Sequence, residues 1–328
     1  MVTLDDIREA QSRLRGIALH TELIESHFHD SSPGLDGRRL YLKPENLQPI
    51  GAFKLRGAYN KIAGLTPAER RRGVITYSSG NHAQGVAYAA RALSTKAIIV
   101  MPANAPAIKR EATAALGAEI VLVGPSSEER MKRAEELAES HGYAIVPPYN
   151  DEKIIAGQGT IGLEILEDLP EVETILVPVG GGGMISGIAT AVKLTKPSVK
   201  VIGAEPELAA DARASLRAGA IVEFSAEQVT GTIADGLRTQ SIGPINFEHM
   251  RRYVDDIVAV NEKEIREAAG LLAQNPKTVA EPSGAVSVAA FLFHREQLPK
   301  TKINVAVISG GNIDPKLLDE LRQTAHAS

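Results

Sequence analysis

The chain has 328 residues, 44% of them hydrophobic and 23% charged, which is the composition of a globular protein. Its net charge is −4 and its basic residues alternate with acids, so the charge pattern indicates neither nucleic-acid nor membrane binding, and we expect a small-molecule partner. The absence of cysteine excludes disulfides, thiolate metal sites and cysteine nucleophiles, and it fits a reducing compartment.

The N-terminal residues predict a helix rather than a secretory leader. Thr3 can cap a helix whose apolar residues recur at helical spacing as far as Leu14. No apolar segment of the leader type precedes this helix, so we expect a cytoplasmic protein. Residues 174–192 carry no charge and approach the length of a membrane span, but Pro178 and a run of glycines predict a strand, a loop and a helix there.

Short apolar strands alternate with helices along most of the chain after Thr66-Pro67, a good helix start. The predicted strands are Leu40–Leu42, Val74–Tyr77, Ala97–Met101, Ile120–Val123, Ala144–Val146, Thr174–Val179, Val199–Ala204, Val254–Val260 and Asn304–Ile308. The predicted helices are Asn81–Leu93, Ala107–Leu116, Ser127–Ser140, Ile154–Asp168, Met184–Leu194, Leu208–Arg217, Glu262–Gln274, Ser283–Arg295 and Pro315–Thr324. Such alternation predicts parallel sheets with helices on both faces, and ligands bind such sheets beyond the carboxyl ends of the strands.

No linker rich in Pro, Gly or Ser divides the chain, so any division into domains must be compact. The pair Pro147-Pro148 is the clearest interruption, and the strands before it can form a smaller sheet of their own. We therefore predict a large domain from residues 1–72 and 151–328 and a small domain from residues 73–150.

Lys54 lies between Phe53 and Leu55 at a predicted helix start. Apolar neighbours desolvate an amine, and desolvation lowers a lysine pKa toward the range in which the amine is a nucleophile or forms a Schiff base. The alternative is a helix-end lysine whose amine reaches solvent.

Three loops that follow strands are suited to bind a ligand. The loop Ser78–His82 precedes a helix, whose free N–H groups can hold a carboxylate or phosphate; a simple helix cap is the alternative. The run Gly180–Gly183 opens another helix and lets the backbone approach a phosphate closely, against the alternative of a flexible turn. The third loop begins at Ser309, whose hydroxyl completes a set typical of pyridoxal phosphate (PLP) sites: an amine, a phosphate cradle and a partner for the ring nitrogen.

Five segments, taken in order, resemble the motif set of the threonine dehydratase and serine racemase family over essentially the whole chain. They are residues 45–60, 78–85, 180–184, 281–284 and 309–312. Members of this family are PLP enzymes of fold type II. The resemblance therefore implies an α/β fold with two open, twisted, mostly parallel sheets flanked by helices, in a large and a smaller domain.

The resemblance also implies a role for individual residues. Lys54 would carry the cofactor, Asn81 would bind its 3′-oxygen, and Ser309 would face its ring nitrogen. The loop Ser78, Ser79, Gly80, Asn81 and His82 would receive the substrate carboxylate. The rest of the implied cofactor site consists of Phe53, Gly180, Gly181, Gly182, Gly183, Met184 and Glu281.

The reaction implied is β-elimination from a small hydroxy amino acid, in which L-threonine or L-serine gives a 2-oxo acid and ammonia. A neutral serine hydroxyl at the ring nitrogen suits rapid loss of a β-hydroxyl better than transamination. Serine racemase and 3-hydroxyaspartate dehydratase are the alternatives within the family. A non-catalytic protein that binds PLP or an amino acid is the alternative from another class.

Ser79 decides between two of these activities. Many threonine dehydratases carry Ala at this position, whereas serine racemases carry Ser as the acid/base on the face of the substrate opposite the lysine. We therefore include Ser79 with Lys54 among the candidate catalytic residues. The alternative is a loop hydroxyl that caps the helix or binds carboxylate.

The segment after the strand Val199–Ala204 resembles the divalent-cation site of serine racemases. Glu205 and Asp211 would supply carboxylates and Ala209 its carbonyl, a set of hard oxygen ligands that suits Mg²⁺, Mn²⁺ or Ca²⁺. Acids in the first turn of a helix also occur for dipole reasons alone. The resemblance further implies a homodimer or homotetramer.

Overall fold

The computed structural model describes residues 1–26, 37–78, 80–105, 107–124 and 127–325. Within these ranges the strands are β1 Ile24–Glu25, β2 Arg39–Pro44, β3 Val74–Tyr77, β4 Ala97–Pro102, β5 Glu119–Val123, β6 Ala144–Ile145, β7 Thr174–Pro178, β8 Lys200–Pro206, β9 Asp256–Val260 and β10 Ile303–Ile308. The helices are α1 Leu4–Leu14, α2 Lys54–Ala63, α3 Pro67–Arg72, α4 Asn81–Ala92, α5 Ala107–Ala115, α6 Ser127–His141, α7 Glu152–Asp168, α8 Gly183–Thr195, α9 Asp211–Ala218, α10 Ala226–Thr230, α11 Pro244–Tyr253, α12 Glu262–Leu272, α13 Pro282–Phe293 and α14 Pro315–Ala325.

The larger sheet has the strand order β1-β2-β10-β7-β8-β9, and every pair in it is parallel except β1 with β2. All residues of β7 are buried, as expected for a central strand covered by helices on both faces. One core layer packs α12 and α13 against the sheet, and another packs α8 and α11 against it. The apolar character of these strands is therefore explained by burial on two sides.

The smaller sheet has the order β5-β4-β3-β6 and is wholly parallel. Helix α4 covers one face and α6 the other. The predicted α/β class with two mostly parallel sheets is confirmed. The exact domain limits, residues 73–150 against the rest, stay a prediction.

Most predicted elements lie within a few residues of their place in the structure. The helix predicted to start at Leu208 begins at Asp211, because Glu207–Ala209 form a short 3-10 turn first. The short elements β1 and α10 and the longer helix α11 were not predicted, although α11 starts with the favourable pair Gly243 and Pro244. Thr3 does cap α1: its hydroxyl accepts from the N–H of Asp6 at 3.2 Å.

The uncharged stretch 174–192 folds as predicted into β7, a loop and α8. Across the described ranges, no helix combines the length and apolar character that crossing a membrane requires.

Helix α2 is held deep in the protein by a close crossing with α7. A Cβ built on Gly57 would lie 2.9 Å from the carbonyl oxygen of Ile154, and one on Gly157 would lie 2.7 Å from that of Arg56. Only glycine allows the two backbones to come this close. The crossing fixes the position of Lys54, the first residue of α2.

A buried charge cluster, formed by Lys43, Glu45, Arg56 and Glu164, lies under the same helix. The Arg56 guanidinium donates to both oxygens of Glu45, each at 2.8 Å, and to both oxygens of Glu164 at 2.6 and 2.8 Å. The Lys43 amine is 2.7 Å from Glu164 and is fully buried. Because every charge faces an opposite charge, the cluster is neutral as a unit.

Candidate active site

Four loops meet beyond the carboxyl ends of the strands. The segment before Lys54 runs beside the end of β10: Ala52 and Gly310 form an antiparallel bridge, and the Phe53 N–H donates to the Ser309 carbonyl at 3.1 Å. The loop Gly180–Gly183 follows the neighbouring strand β7. Asn81 starts the helix that follows β3 in the smaller sheet. The site therefore lies between the two sheets, where sheets of this kind bind ligands.

The Lys54 amine is held in a setting that favours its neutral form. Its Nζ donates to the Pro148 carbonyl at 2.8 Å. Burial lowers the pKa of Lys54 to about 8, while the nearby Glu281 carboxyl acts in the opposite direction. Part of this burial comes from α4, which crosses at Gly85: a Cβ there would lie only 3.1 Å from the backbone of Lys54. An amine with this pKa can act as a nucleophile and as a base near neutral pH.

His82 is a neutral side chain in this site. Its Nε2 lies 3.0 Å from the Val146 carbonyl, which can only accept, so Nε2 carries the hydrogen and Nδ1 is an acceptor. That Nδ1 is buried and has no hydrogen-bond partner in the described part of the chain. Burial, followed by the charge of Lys54, lowers the pKa of His82 to about 3. The His82 side chain thus holds the backbone at Val146, two residues before Pro148. The predicted contact of His82 with the substrate stays a prediction.

An amide chain orients Asn81. The Asn312 Nδ2 donates to the Asn81 Oδ1 at 2.8 Å, and the Asn81 Nδ2 donates to the Glu281 carboxylate at 2.6 Å. Burial raises the pKa of Glu281 to about 7, with the charge of Asp235 adding to the effect. A Cβ at Gly310 would lie 2.6 Å from Glu281 and 3.1 Å from Asn81, so these two polar side chains close around this glycine. Asn312 was part of a recognised motif, but the sequence did not reveal its role.

The glycine loop has the shape of a phosphate cradle. All four glycines are buried, and Gly182 has a φ of 88°, which favours glycine. A Cβ on Gly181 would lie 2.4 Å from the ring of Tyr149, which covers the loop. The N–H groups of the first turn of α8 have no acceptor within the helix and carry its positive dipole end. Together with Lys54, these donors fit a cofactor that has an aldehyde and a phosphate.

Ser78 lies at the mouth of the predicted carboxylate loop, and its hydroxyl accepts from the N–H of Gly80 at 3.3 Å. This contact is a turn within the loop and not a helix cap, since no side chain of the described residues caps the start of α4. Ser79 lies outside the described residues, so its predicted catalytic role stays a prediction. Phe53 packs beside the amine, with Nζ of Lys54 5.1 Å from its ring centre.

Two of the predicted metal ligands are buried carboxylates that lie close together. The oxygens of Glu205 accept from the N–H groups of Ala212 and Arg213 at 3.1 and 2.8 Å. Both oxygens of Asp211 are buried and have no hydrogen-bond partner among the described residues. Burial raises the pKa of Asp211 to about 7, although its own N–H and that of Ile242 lie near enough to oppose the shift. Burial and the charge of Asp211 raise the pKa of Glu205 as well.

Ala209 is buried in the 3-10 turn between these carboxylates. No cluster of three or more His, Cys, Asp or Glu side chains that could hold a metal occurs in the described ranges. The side chains present are therefore two carboxylates, which would need a backbone carbonyl and waters to complete a cation site.

Comparison with known proteins agrees with this geometry. A family model described as "Pyridoxal-phosphate dependent enzyme" matches residues 16–310. The chain is 48% identical over 323 residues to the L-threonine ammonia-lyase of Thermotoga maritima, covering 98% of this chain and 78% of that protein. It is 44% identical over 315 residues to the Escherichia coli K12 protein named L-threonine dehydratase catabolic TdcB, covering 95% and 94%. The solved structure of maize serine racemase superposes with a TM-score of 0.91 at 37% identity, covering 99% of this chain and 98% of that one.

The resemblance inferred from the ordered motifs is confirmed. The family match runs from the end of α1 past Lys54 and the glycine loop to the end of β10, so it includes the three parts of the predicted cofactor site. This chain belongs to the family of pyridoxal-phosphate dependent enzymes.

Proposed function

We propose that this protein is a PLP-dependent ammonia-lyase that dehydrates and deaminates L-threonine, with L-serine as a second substrate. The observation that carries the proposal is the Lys54 amine, whose pKa is lowered to about 8. It follows Phe53, which bonds to Ser309, and it donates to Pro148, the residue before the Tyr149 ring that covers the glycine loop. The relatives at 44% and 48% identity, both named for threonine, support L-threonine as the first choice.

When bound, PLP supplies an aldehyde for amines and a ring that withdraws electrons from the substrate Cα. In the proposed site, Lys54 would hold the cofactor aldehyde, and Gly180–Gly183 with Met184 would hold the phosphate. Asn81, oriented by Asn312 and Glu281, would bind the 3′-oxygen. Ser309, at the end of β10, would offer a neutral hydroxyl to the ring nitrogen.

The chain's own groups then move the protons. Lys54 would be the base that removes the Cα proton of the bound substrate, and a pKa of about 8 leaves part of it neutral at physiological pH. The N-terminal turn of α4 holds the substrate carboxylate through its free N–H groups. Loss of the β-hydroxyl as water, followed by hydrolysis, gives the 2-oxo acid and ammonia.

The substrate proposal predicts 2-oxobutanoate and ammonia in equal amounts from L-threonine, at a higher kcat/KM than from L-serine, D-serine or either 3-hydroxyaspartate isomer. Oxo-acid release is measured with purified holoenzyme, and the enantiomer ratio of remaining serine is read in the same samples. A higher kcat/KM for 3-hydroxyaspartate would overturn the substrate choice. Bound PLP without oxo acid from any substrate would instead indicate a non-catalytic binding protein.

Serine racemisation is the second candidate activity, favoured by the likeness to maize serine racemase and by the presence of Ser79. A hydroxyl opposite Lys54 would return a proton to the other face of Cα. Ser79→Ala should leave oxo-acid release from L-threonine within about threefold while it abolishes any D-serine formation. Equal loss of both activities would contradict a role specific to racemisation.

We also propose that Glu205 and Asp211, with the Ala209 carbonyl, bind a divalent cation. The support is the pair of adjacent buried carboxylates, of which Asp211 has only the nearby N–H groups of Asp211 and Ile242, neither of them in hydrogen-bond geometry, among the described residues. Such a pair is costly to bury unless a cation neutralises it. The cation would be structural or activating rather than part of the reaction.

Adding Mg²⁺, Mn²⁺ or Ca²⁺ to chelator-treated protein should raise the Tm, by the equivalent of about 2.7 kcal/mol at a hundred times Kd. Asp211→Asn should abolish this response, because it removes one carboxylate ligand. Asp256→Asn, which changes an exposed carboxylate of the same sheet, should keep it. An unchanged Tm with all three cations in the unaltered protein would remove the support for this site.

We also propose that the protein is cytoplasmic and that it forms a homodimer or homotetramer. Size-exclusion chromatography with light scattering checks the assembly.

A further inference from the structure

The start of α11 is bonded directly to the glycine loop. The carbonyl oxygen of Gly181 accepts from the Asn246 side-chain Nδ2 at 2.5 Å and from the Gly243 N–H at 3.2 Å. Asn246 is fully buried. Because two donors converge on this one carbonyl, they fix the orientation of its peptide group.

That orientation decides where the next N–H points. A trans peptide is planar, and its C=O and N–H groups point in opposite directions. Since the Gly181 carbonyl is drawn toward α11, the Gly182 N–H faces away from α11. Donors on the carbonyl also polarise the peptide and make that N–H a stronger donor.

The loop cannot shift further toward α11. A Cβ at Gly182 would lie 2.8 Å from the sulfur of Met250 and 3.1 Å from the Cβ of Asn246, so backbone and helix are already in contact. The backbone of Asn246 is held in turn, because its carbonyl accepts from the Ser186 hydroxyl at 3.2 Å. Helix α11 is therefore a rigid support for the Gly181–Gly182 peptide.

Of the two polar atoms in the Asn246 side-chain amide, one makes a hydrogen bond. Its Oδ1 is buried without a hydrogen-bond donor in the described ranges, while Nδ2 meets Gly181. The reverse orientation would place Oδ1 against the Gly181 carbonyl, two acceptors in contact. A buried oxygen without a hydrogen-bond donor lowers the stability of the fold. In this orientation Asn246 has such an oxygen and also makes the hydrogen bond to the loop.

We propose that Asn246 is a positioning residue for the cofactor phosphate: it sets the Gly181–Gly182 peptide so that the Gly182 N–H faces a bound phosphate ester. This inference rests on the proposed function, in which the glycine loop holds the phosphate. It predicts that Asn246 contributes to binding of a phosphorylated ligand and contributes nothing to binding of the same ligand without its phosphate.

The test compares PLP with pyridoxal, its unphosphorylated form, by equilibrium binding to the apoenzyme. Asn246→Leu removes the donor and the unsatisfied oxygen at similar size, and Asn246→Ala is the second variant should the first not fold. Each is expected to weaken PLP binding about 10- to 100-fold and to change pyridoxal binding by less than about threefold. Asn304→Leu is the matched control, because Asn304 is a buried amide that donates to the Arg39 and Thr301 carbonyls at the amino end of β10, far from the loop.

The outcomes separate this inference from the proposed function. Should the unaltered protein bind PLP no better than pyridoxal, the glycine loop does not hold a phosphate and both proposals are wrong. Should it prefer PLP and both Asn246 variants keep the full preference, Asn246 is not a positioning residue while the proposed function stands. Two other results would show a general structural effect and overturn the inference. One is an equal loss of affinity for PLP and pyridoxal in the Asn246 variants, and the other is loss of the preference for PLP in Asn304→Leu as well.

Discussion

Lys54→Ala is expected to lower kcat for oxo-acid release by about 10³-fold or more, because it removes both the amine that holds the cofactor and the base for the Cα proton. Borohydride should no longer fix the cofactor covalently to the protein. Lys61→Ala is the matched control: Lys61 lies in the same helix and pairs with Asp151 at 2.5 Å, outside the site. Activity in Lys54→Ala within about tenfold of the unaltered protein would contradict the assignment.

The apoenzyme offers a second test of this lysine that needs no turnover. Burial lowers the pKa of Lys54 to about 8, so the ammonium form predominates below that pH and the reactive neutral amine above it. The rate of covalent PLP uptake should therefore rise with pH and level off above about 8. A rate that keeps rising toward the ordinary lysine pKa of about 10.4 would show that the amine is not desolvated.

Arg56→Met is expected to lower the free energy of unfolding by about 3–5 kcal/mol, because it leaves Glu45 and Glu164 buried without their shared partner. The guanidinium makes four short hydrogen bonds to these carboxylates and is almost fully buried. Urea unfolding followed by circular dichroism measures the change.

Two further variants distinguish buried charge from lost packing. Arg56→Met combined with Glu45→Gln should be less destabilised than Arg56→Met alone, since Lys43 still neutralises Glu164 at 2.7 Å. Arg39→Met breaks a half-exposed pair with Glu25 and should cost about 1 kcal/mol or less. Equal costs for Arg56→Met and Arg39→Met would contradict the special status of the buried charge cluster.

The parts of the fold that depend on local pattern were predictable. Apolar runs such as β7 and capped helices such as α1 are recognisable in the sequence, and the glycine run after β7 indicated the tight loop before α8. Its role in binding phosphate stays a prediction. No single segment of the sequence indicates that Lys54 and Ser309 belong to one site. That prediction came from the order of the motifs along the chain. The structure adds the contact between them, through the bond of Phe53 to the Ser309 carbonyl.

What could not be predicted depends on contacts between distant residues. Nothing beside Arg56 in the sequence indicates that Glu164, 108 positions away, is its partner. Asn246 could not be singled out from the sequence, because α11 itself was not predicted. Its proposed role depends on the hydrogen bond that its side chain donates to the Gly181 carbonyl. The lowered pKa of Lys54 was expected from Phe53 and Leu55, but part of the burial comes from α4, a helix distant in the sequence that packs against the backbone of Lys54.

The state of His82 determines how a pH–rate profile of this protein should be assigned. A kinetic limb between pH 6 and 7 is ordinarily attributed to histidine. Here the imidazole gives its only hydrogen to the Val146 carbonyl, and its pKa is lowered to about 3, so it stays uncharged throughout that interval. Among the described side chains near the amine, Glu281 titrates close to neutrality, because burial raises its pKa to about 7. An acidic limb in this interval therefore reports a carboxyl group, and a basic limb near 8 reports the lysine.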